Sequence, residues 1–257
     1  MRRVPFLLLA LQCGNRFEKG RGMNITILGV ALSVLAIGGC ASSPSHVAEP
    51  RRHFELGTFI SSQLPPISIR VGEDFRYLGA TTFRLGGQAL VDRHHLVDVG
   101  ADGHVERILI LHFEGFLSGS EGRYRYGIPS GQDAAGPDFR FTLEPVRLGD
   151  HDYIHNTWFL SAQENIDANP GGELEQSAKL LEHHGYTLPE ELRMSRFLRI
   201  VDEEARHEFI LFYLEPLAPT GFQASQFVKD GAGAAVFDRL SAEVTARSLA
   251  AFRVEAD

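Results

Sequence analysis

The sequence predicts an α+β domain, with a curved antiparallel β-sheet of about eight strands, a C-terminal amphipathic helix and one inserted helix. Three observations predict this class. Apolar and polar residues alternate with a period of two over much of residues 67–215, as in half-buried antiparallel strands. Turn residues interrupt this alternation at short intervals. Two segments show the helical period of 3.6 instead.

The strand segments begin at Ile67. The first long segment places six residues on one face, namely Phe75, Tyr77, Gly79, Thr81, Phe83 and Leu85. The next two, 88–99 and 104–117, flank Asp102-Gly103, which predicts a β-hairpin because both residues tolerate positive φ angles. Further strands are predicted at 124–128, 139–148, 153–160, 194–201 and 207–215, and residues 202–206 predict a hairpin between the last two.

One strand is predicted to lie in the centre of the sheet. Val105, Leu109, Leu111 and Phe113 alternate with polar residues, but Ile108 and Ile110 add apolar side chains to the opposite face. A strand that is apolar on both faces is covered on both. We expect the C-terminal helix on one side, and either the remaining strands or the inserted helix on the other.

Residues 173–184 and 234–253 predict the two helices. The first ends before Gly185, a residue type that commonly terminates helices. The apolar stripes consist of Leu174, Ala178 and Leu181 in the first helix, and of Phe237, Leu240, Val244, Ala251 and Phe252 in the second.

The N-terminal region predicts a secretion signal. Residues 25–37 form an apolar core of thirteen residues, shorter than the ~20 residues that span a bilayer as a helix. Gly38, Gly39 and Cys40 follow this core. Small residues at this place suit a peptidase, because it must draw an extended backbone into a narrow groove.

The sequence Ile37-Gly38-Gly39-Cys40 resembles the lipobox of bacterial lipoproteins. This resemblance covers about the first forty residues. It implies that the Cys40 thiol is diacylated and that the chain is cut just before it, so that residues 1–39 are the signal peptide. The signal would start at Met1 or at Met23. Because Ala41 rather than Asp follows the cysteine, the resemblance also implies the periplasmic face of the outer membrane in a Gram-negative cell.

The remaining chain divides into a tether and one domain. Residues 40–52 comprise the acylated Cys40 and a flexible tether rich in small and polar residues, and residues 53–257 form the α+β domain. Removing residues 1–39 takes away five basic residues and one acid and leaves a net charge of −12. Because anionic lipid repels an acidic chain of this kind, the acylated cysteine alone must hold it at the bilayer. The acidic balance also argues against a nucleic-acid partner.

One histidine-rich segment is a candidate metal site. Asp150, His151, Asp152 and His155 offer imidazole and carboxylate ligands for zinc or manganese. On a strand, the two histidines would lie ~13 Å apart, so a shared ion requires a loop or a helical turn. The alternative to a metal site is that this segment is a polar loop leading into a strand. The sequence contains neither HExxH nor GxSxG, and no catalytic residue or cofactor is predicted.

The aromatic residues suggest either a core or a ligand pocket. The candidate ligand-facing residues are Phe75, Tyr77, Phe83, Leu111, Phe113 and Trp158. Together these observations predict a membrane-anchored envelope lipoprotein that acts as a non-catalytic binding module for an apolar or amphipathic ligand, or for an envelope protein. The alternative is a metal-dependent hydrolase that uses the Asp150–His155 segment.

Overall fold

The computed structural model describes residues 51–126, 134–135, 140–228 and 230–255, with the backbone alone at 134–135. The predicted signal peptide, Cys40 and residues 41–50 of the tether lie outside this part of the chain. No helix in the described ranges is long and apolar enough to cross a membrane.

Thirteen strands and three α-helices are present in the described residues. The strands are β1 (Arg52–Glu55), β2 (Thr58–Ser61), β3 (Ile67–Val71), β4 (Arg76–Leu85), β5 (Ala89–Val99), β6 (Val105–Phe116), β7 (Ala134–Ala135), β8 (Arg140–Phe141), β9 (Glu144–Leu148), β10 (His151–Ser161), β11 (Glu191–Ile200), β12 (His207–Pro216) and β13 (Phe252–Val254). The helices are α1 (Ala162–Ala168), α2 (Glu173–His183) and α3 (Phe237–Ala251).

The strands form two antiparallel sheets. The larger, nine-stranded sheet has the order β4-β5-β6-β12-β11-β10-β8-β7, with β9 also paired to β10, and it is open. The smaller sheet has the order β1-β2-β3-β13. The prediction of a mostly antiparallel sheet with a C-terminal helix is therefore confirmed. The second sheet was not predicted, because strands of three to five residues are too short to show a clear alternation.

Both predicted hairpins are present. Strands β5 and β6 pair around Asp102-Gly103, where Gly103 has a φ angle of +83°. Strands β11 and β12 pair around residues 202–206. In contrast, residues 124–126 of the predicted strand 124–128 form no strand, and the rest of that strand lies outside the described residues. The predicted strand 139–148 is two strands, β8 and β9.

A β-bulge in β4 overturns one prediction about faces. The register between β4 and β5 shifts between Tyr77, which pairs with Leu96, and Gly79, which pairs with His95. Gly79 has a φ angle of +126°, which suits glycine. Because one extra residue reverses the alternation that follows it, Tyr77 and Phe83 lie on opposite faces of the sheet. The prediction that they share a face is wrong.

The two faces of the larger sheet are both covered. On the face that we call the α3 face, Leu96, Leu109, Leu111 and Phe209 pack with α3 and the smaller sheet. On the opposite face, which we call the α2 face, Val97, Ile108, Ile110 and Phe212 pack with α1 and α2. In the middle of β6, residues 108–111 are at most 1% exposed. The prediction of a central strand covered on both sides is confirmed: the core formed with α3 and the smaller sheet lies on one side, and α1 and α2 lie on the other. Val105 was predicted to share a face with Leu109, but a register shift between β5 and β6 places it on the α2 face.

The helices match the prediction in position but not in every boundary. Helix α2 ends one residue before the predicted His184, and Gly185 follows. Helix α3 ends at Ala251, so the prediction that it continues to residue 253 is wrong. Residues Phe252–Val254 form β13, which pairs with β3, and Phe252 faces the core from this strand. Helix α1 was not predicted, since seven residues are too few to show a helical period.

Candidate functional site

A group of buried polar residues lies on the α2 face. We call it the buried polar cluster; it consists of Arg93, His112, Glu114, Tyr124, Glu173, Arg196 and Glu208. Along β6, the α2 face changes from apolar residues, Ile108 and Ile110, to the polar residues His112 and Glu114. Arg93 on β5 lies opposite His112, and Glu208 on β12 lies opposite Glu114. The sheet register therefore collects ionisable side chains at one end of an otherwise apolar face.

His112 is at the centre of the cluster and is fully buried. Its Nε2 atom lies 3.0 Å from Oε2 of Glu114, in hydrogen-bond geometry. Its Nδ1 atom lies 3.2 Å from Oε1 of Glu173 but has no hydrogen-bond partner among the described residues. Both ring nitrogens of one histidine thus face carboxylates that belong to different elements, β6 and α2.

Glu114 and Glu208 are a buried pair of acids on neighbouring strands. The hydroxyl of Tyr124 donates a hydrogen bond of 2.7 Å to Oε1 of Glu114, and burial, followed by the charge of Glu114, raises the pKa of Tyr124. Burial and the neighbouring Glu114 also raise the pKa of Glu208 well above its usual value. Like charges placed opposite each other on a sheet repel, so the pair favours a state in which Glu208 keeps its proton.

Glu173 reaches the cluster from the first position of α2. Leu174 and Leu181 of this helix pack on the sheet, which holds the helix against the α2 face. Arg93 places its Nη1 atom 3.5 Å from Oε1 of Glu173. Burial alone would raise the pKa of Glu173, but the positive charge of Arg93, followed by His112 and Arg196, outweighs burial and lowers it.

The two arginines are held by aromatic rings as well as by carboxylates. Arg93 lies over the ring of Phe212 and Arg196 over that of Trp158, both at 5.0 Å. Arg196 also donates to Oδ1 of Asn156 at 2.9 Å. Burial lowers the pKa of Arg196 to about 10, although the charge of Glu173 opposes this shift. The guanidiniums therefore remain charged at neutral pH and balance part of the acidic charge.

Three residues of the cluster have the donor atoms of a metal site. Within the described part of the chain, His112, Glu114 and Glu173 each offer one ligand atom, and these atoms lie within 4.8 Å of one another. Imidazole nitrogen together with carboxylate oxygen suits zinc, manganese or iron(II). Sequence reasoning noted His112 and Glu114 only as polar residues on β6, and it did not connect them to Glu173.

The structure does not bring together the predicted metal site. Asp150 lies in the turn before β10, whereas His151, Asp152 and His155 belong to β10 itself. A strand rises about 3.3 Å per residue, so the two histidines are ~13 Å apart. Asp152 accepts a hydrogen bond from Arg147 at 3.2 Å. The prediction required a loop or a helical turn here, but the chain forms a strand because β9 and β11 pair with it on both sides.

His155 instead forms an internal network with Glu144 and Ser195. Its Nδ1 atom lies 2.9 Å from Oε1 of Glu144, and its Nε2 atom lies 2.9 Å from the hydroxyl of Ser195. This is the order of groups in serine hydrolases. However, Ser195 is fully buried and its hydroxyl also contacts that of Ser248 at 3.0 Å. A nucleophile must reach its substrate, so this network is a core feature rather than a catalytic one.

The six predicted ligand-facing residues do not line one surface. Phe75, Leu111 and Phe113 are buried in the core on the α3 face, and Tyr77 packs against them. Phe83 and Trp158 lie on the α2 face instead. Phe113 contacts the rings of other core residues, among them Phe59 and Phe209 at 5.9 and 4.9 Å between centroids. Most of these side chains therefore stabilise the fold.

Comparisons with protein-family models, with curated proteins and with solved structures found no match. The features of this chain that bear on function are therefore its own: an open antiparallel sheet covered on both faces, and a buried polar cluster beside α2.

Proposed function

We propose that this chain is a lipid-anchored protein of the cell envelope, whose domain is a non-catalytic binding module. The observation that carries the proposal is Cys40 within Ile37-Gly38-Gly39-Cys40, after an apolar segment. Strand β1 begins at Arg52, twelve positions later. Twelve residues span at most about 40 Å, so an acyl group on Cys40 holds the start of the domain within that distance of the bilayer.

A binding role accounts for the structure better than catalysis does. Two serine hydroxyls of the described chain have a histidine partner, those of Ser177 and Ser195, and both serines lie inside the core. Half of the residues predicted to face an apolar ligand, namely Phe75, Leu111 and Phe113, are buried there as well. A protein partner at the surface is therefore the better-supported occupant.

The hydrolase alternative loses its basis in the structure. It relied on Asp150, His151, Asp152 and His155 around one ion, and β10 keeps the two histidines apart. We therefore do not retain it as a second candidate.

Metabolic labelling with a fatty-acid analogue tests the anchor. The wild-type protein and Cys13→Ala should incorporate the label, and Cys40→Ala should not. In a Gram-negative host, the labelled protein should fractionate with the outer membrane. Label that persists on Cys40→Ala would refute the proposed anchor. Native mass spectrometry of the delipidated protein tests whether the domain binds a small apolar ligand. If no ligand is bound in any preparation, a protein partner remains as the proposed occupant.

A further inference from the structure

We propose that His112 and Glu173 bind a divalent transition-metal ion such as Zn²⁺ or Mn²⁺, with Glu114 holding the imidazole of His112 in place. This site is independent of the proposed lipid anchor. The three residues come from the sheet strand β6 and from the first turn of α2.

The two ring nitrogens of His112 have different surroundings. Glu114 is an acceptor for Nε2 of His112 at 3.0 Å, so Nε2 carries the hydrogen. The other ring nitrogen, Nδ1, binds a metal ion through its lone pair when it carries no proton. Nδ1 is buried and lies 3.2 Å from Oε1 of Glu173. An imidazole nitrogen and a carboxylate oxygen at this distance share either a proton or a metal ion.

The geometry at Nδ1 fits a shared metal ion better than a proton. A proton needs an N–H direction that points at the oxygen, and Nδ1 of His112 has no partner in hydrogen-bond geometry among the described residues. Two ligands that are each ~2.0–2.2 Å from one ion, at angles of ~90–110°, lie roughly 2.9–3.5 Å apart. The separation between His112 and Glu173 is in this range.

The residues around His112 and Glu173 resemble the hydrogen-bonding groups that orient metal ligands in proteins. A histidine that binds a metal usually donates its other N–H to a carboxylate, as His112 does to Glu114, and Tyr124 in turn donates to Glu114 at 2.7 Å. Ligating carboxylates are commonly contacted by further donors, and Nη1 of Arg93 lies 3.5 Å from Glu173. The Glu173 side chain is 16% exposed, which provides a route for the ion and for water ligands.

The observation that points to a ligand at this place is Nδ1 of His112. It belongs to a side chain with no exposed surface, it faces Oε1 of Glu173, and it has no hydrogen-bond partner in the described chain.

Metal titration of the full chain in detergent tests the site. After treatment with a chelator, dialysis against Zn²⁺ or Mn²⁺ should leave about one ion per chain, measured by elemental analysis. At a free ion concentration of about 100 Kd, the melting temperature should rise by about 5–10 °C. Mg²⁺ and Ca²⁺ should produce little shift, because these ions prefer oxygen ligands. Glu173→Gln and His112→Gln should lose the bound ion and the shift, whereas Glu182→Gln, an exposed position on the same helix, should keep both.

A second measurement needs no variant. Nitrogen-15 NMR of the wild-type protein reports how many protons the His112 ring carries. One proton, on Nε2, and a shifted Nδ1 resonance when the metal is present support the site. Two ring protons in the presence of saturating metal, or no stoichiometric ion and no thermal shift, overturn it. A shift that remains in both Glu173→Gln and His112→Gln overturns it as well.

Discussion

Arg247 of α3 holds Glu215 of β12 by two charge-assisted hydrogen bonds, from Nε to Oε2 at 2.9 Å and from Nη2 to Oε1 at 2.6 Å. Arg193 of β11 also lies 3.0 Å from Oε1 of Glu215, and Tyr213 donates to Oε2 at 3.1 Å. Glu215 is buried. This carboxylate therefore links α3 to two strands of the α3 face.

Glu215→Gln should destabilise the protein by about 3 kcal/mol, because it leaves the buried guanidinium of Arg193 without its counter-charge. Asp152→Asn is the control. Asp152 forms a pair with Arg147 at 3.2 Å, but the pair is exposed and should contribute less than about 0.5 kcal/mol. Urea unfolding measures both. Equal, small losses would show that Glu215 does not connect α3 to the sheet.

Ile110→Asp should prevent folding, and so should Leu111→Asp. The two residues point to opposite faces of β6, and both faces are covered there. A buried and unpaired carboxylate costs several kcal/mol, a large part of the 5–15 kcal/mol that stabilises a typical domain. Glu106→Lys, at an exposed position of the same strand, should be mild. Soluble expression and circular dichroism provide the readout. If Ile110→Asp melts like the wild type, α2 does not cover that face.

Leu56→Asn should stabilise the fold by about 1 kcal/mol. Leu56 has a φ angle of +48° and precedes Gly57 at +77°, and the left-handed region costs most residues about 1–2 kcal/mol but suits asparagine. Leu249→Gln replaces an exposed leucine in α3 and should change little. Thermal unfolding compares the two variants. A destabilised Leu56→Asn would mean that the leucine side chain, rather than the backbone conformation, sets the stability of the turn between β1 and β2.

Stability should fall below about pH 6.5, in part because of His155. Burial lowers the pKa of His155, although its hydrogen bond to Glu144 acts against this shift. As the pH falls past the usual histidine value of about 6.5, the unfolded chain binds this proton first, so protonation favours unfolding. The contribution is at most about 1.4 kcal/mol per pH unit.

Urea unfolding at pH 7.5, 6.5 and 5.5 measures this dependence. His155→Gln keeps a polar group near Ser195 but removes the titration, so its stability should fall less steeply with acid than that of the wild type. His184→Gln, at an exposed position after α2, should keep the wild-type slope. The opposite result, a wild-type slope in His155→Gln, would show that the ring binds its proton equally well in the folded and the unfolded chain.

The sequence by itself determined the features that depend on neighbouring residues. Alternation and turn chemistry predicted the hairpins at Asp102-Gly103 and at residues 202–206. The apolar run from Ile108 to Leu111 predicted a strand covered on both faces, and the period of residues 173–184 predicted α2. These signals are local, because a period of two or 3.6 and a turn that needs positive φ are properties of adjacent positions.

Only the tertiary structure decided on which face of the sheet each side chain lies and which polar groups contact one another. The bulge before Gly79 moves Phe83 to the other face, and pairing with β3 makes a strand of residues that continue the helical pattern of α3. The buried polar cluster unites residues of β5, β6, β11, β12 and α2, and its central contact joins His112 to Glu173, 61 positions apart in the chain. Register and packing between distant segments place these side chains, and a pattern read along the chain contains no record of either.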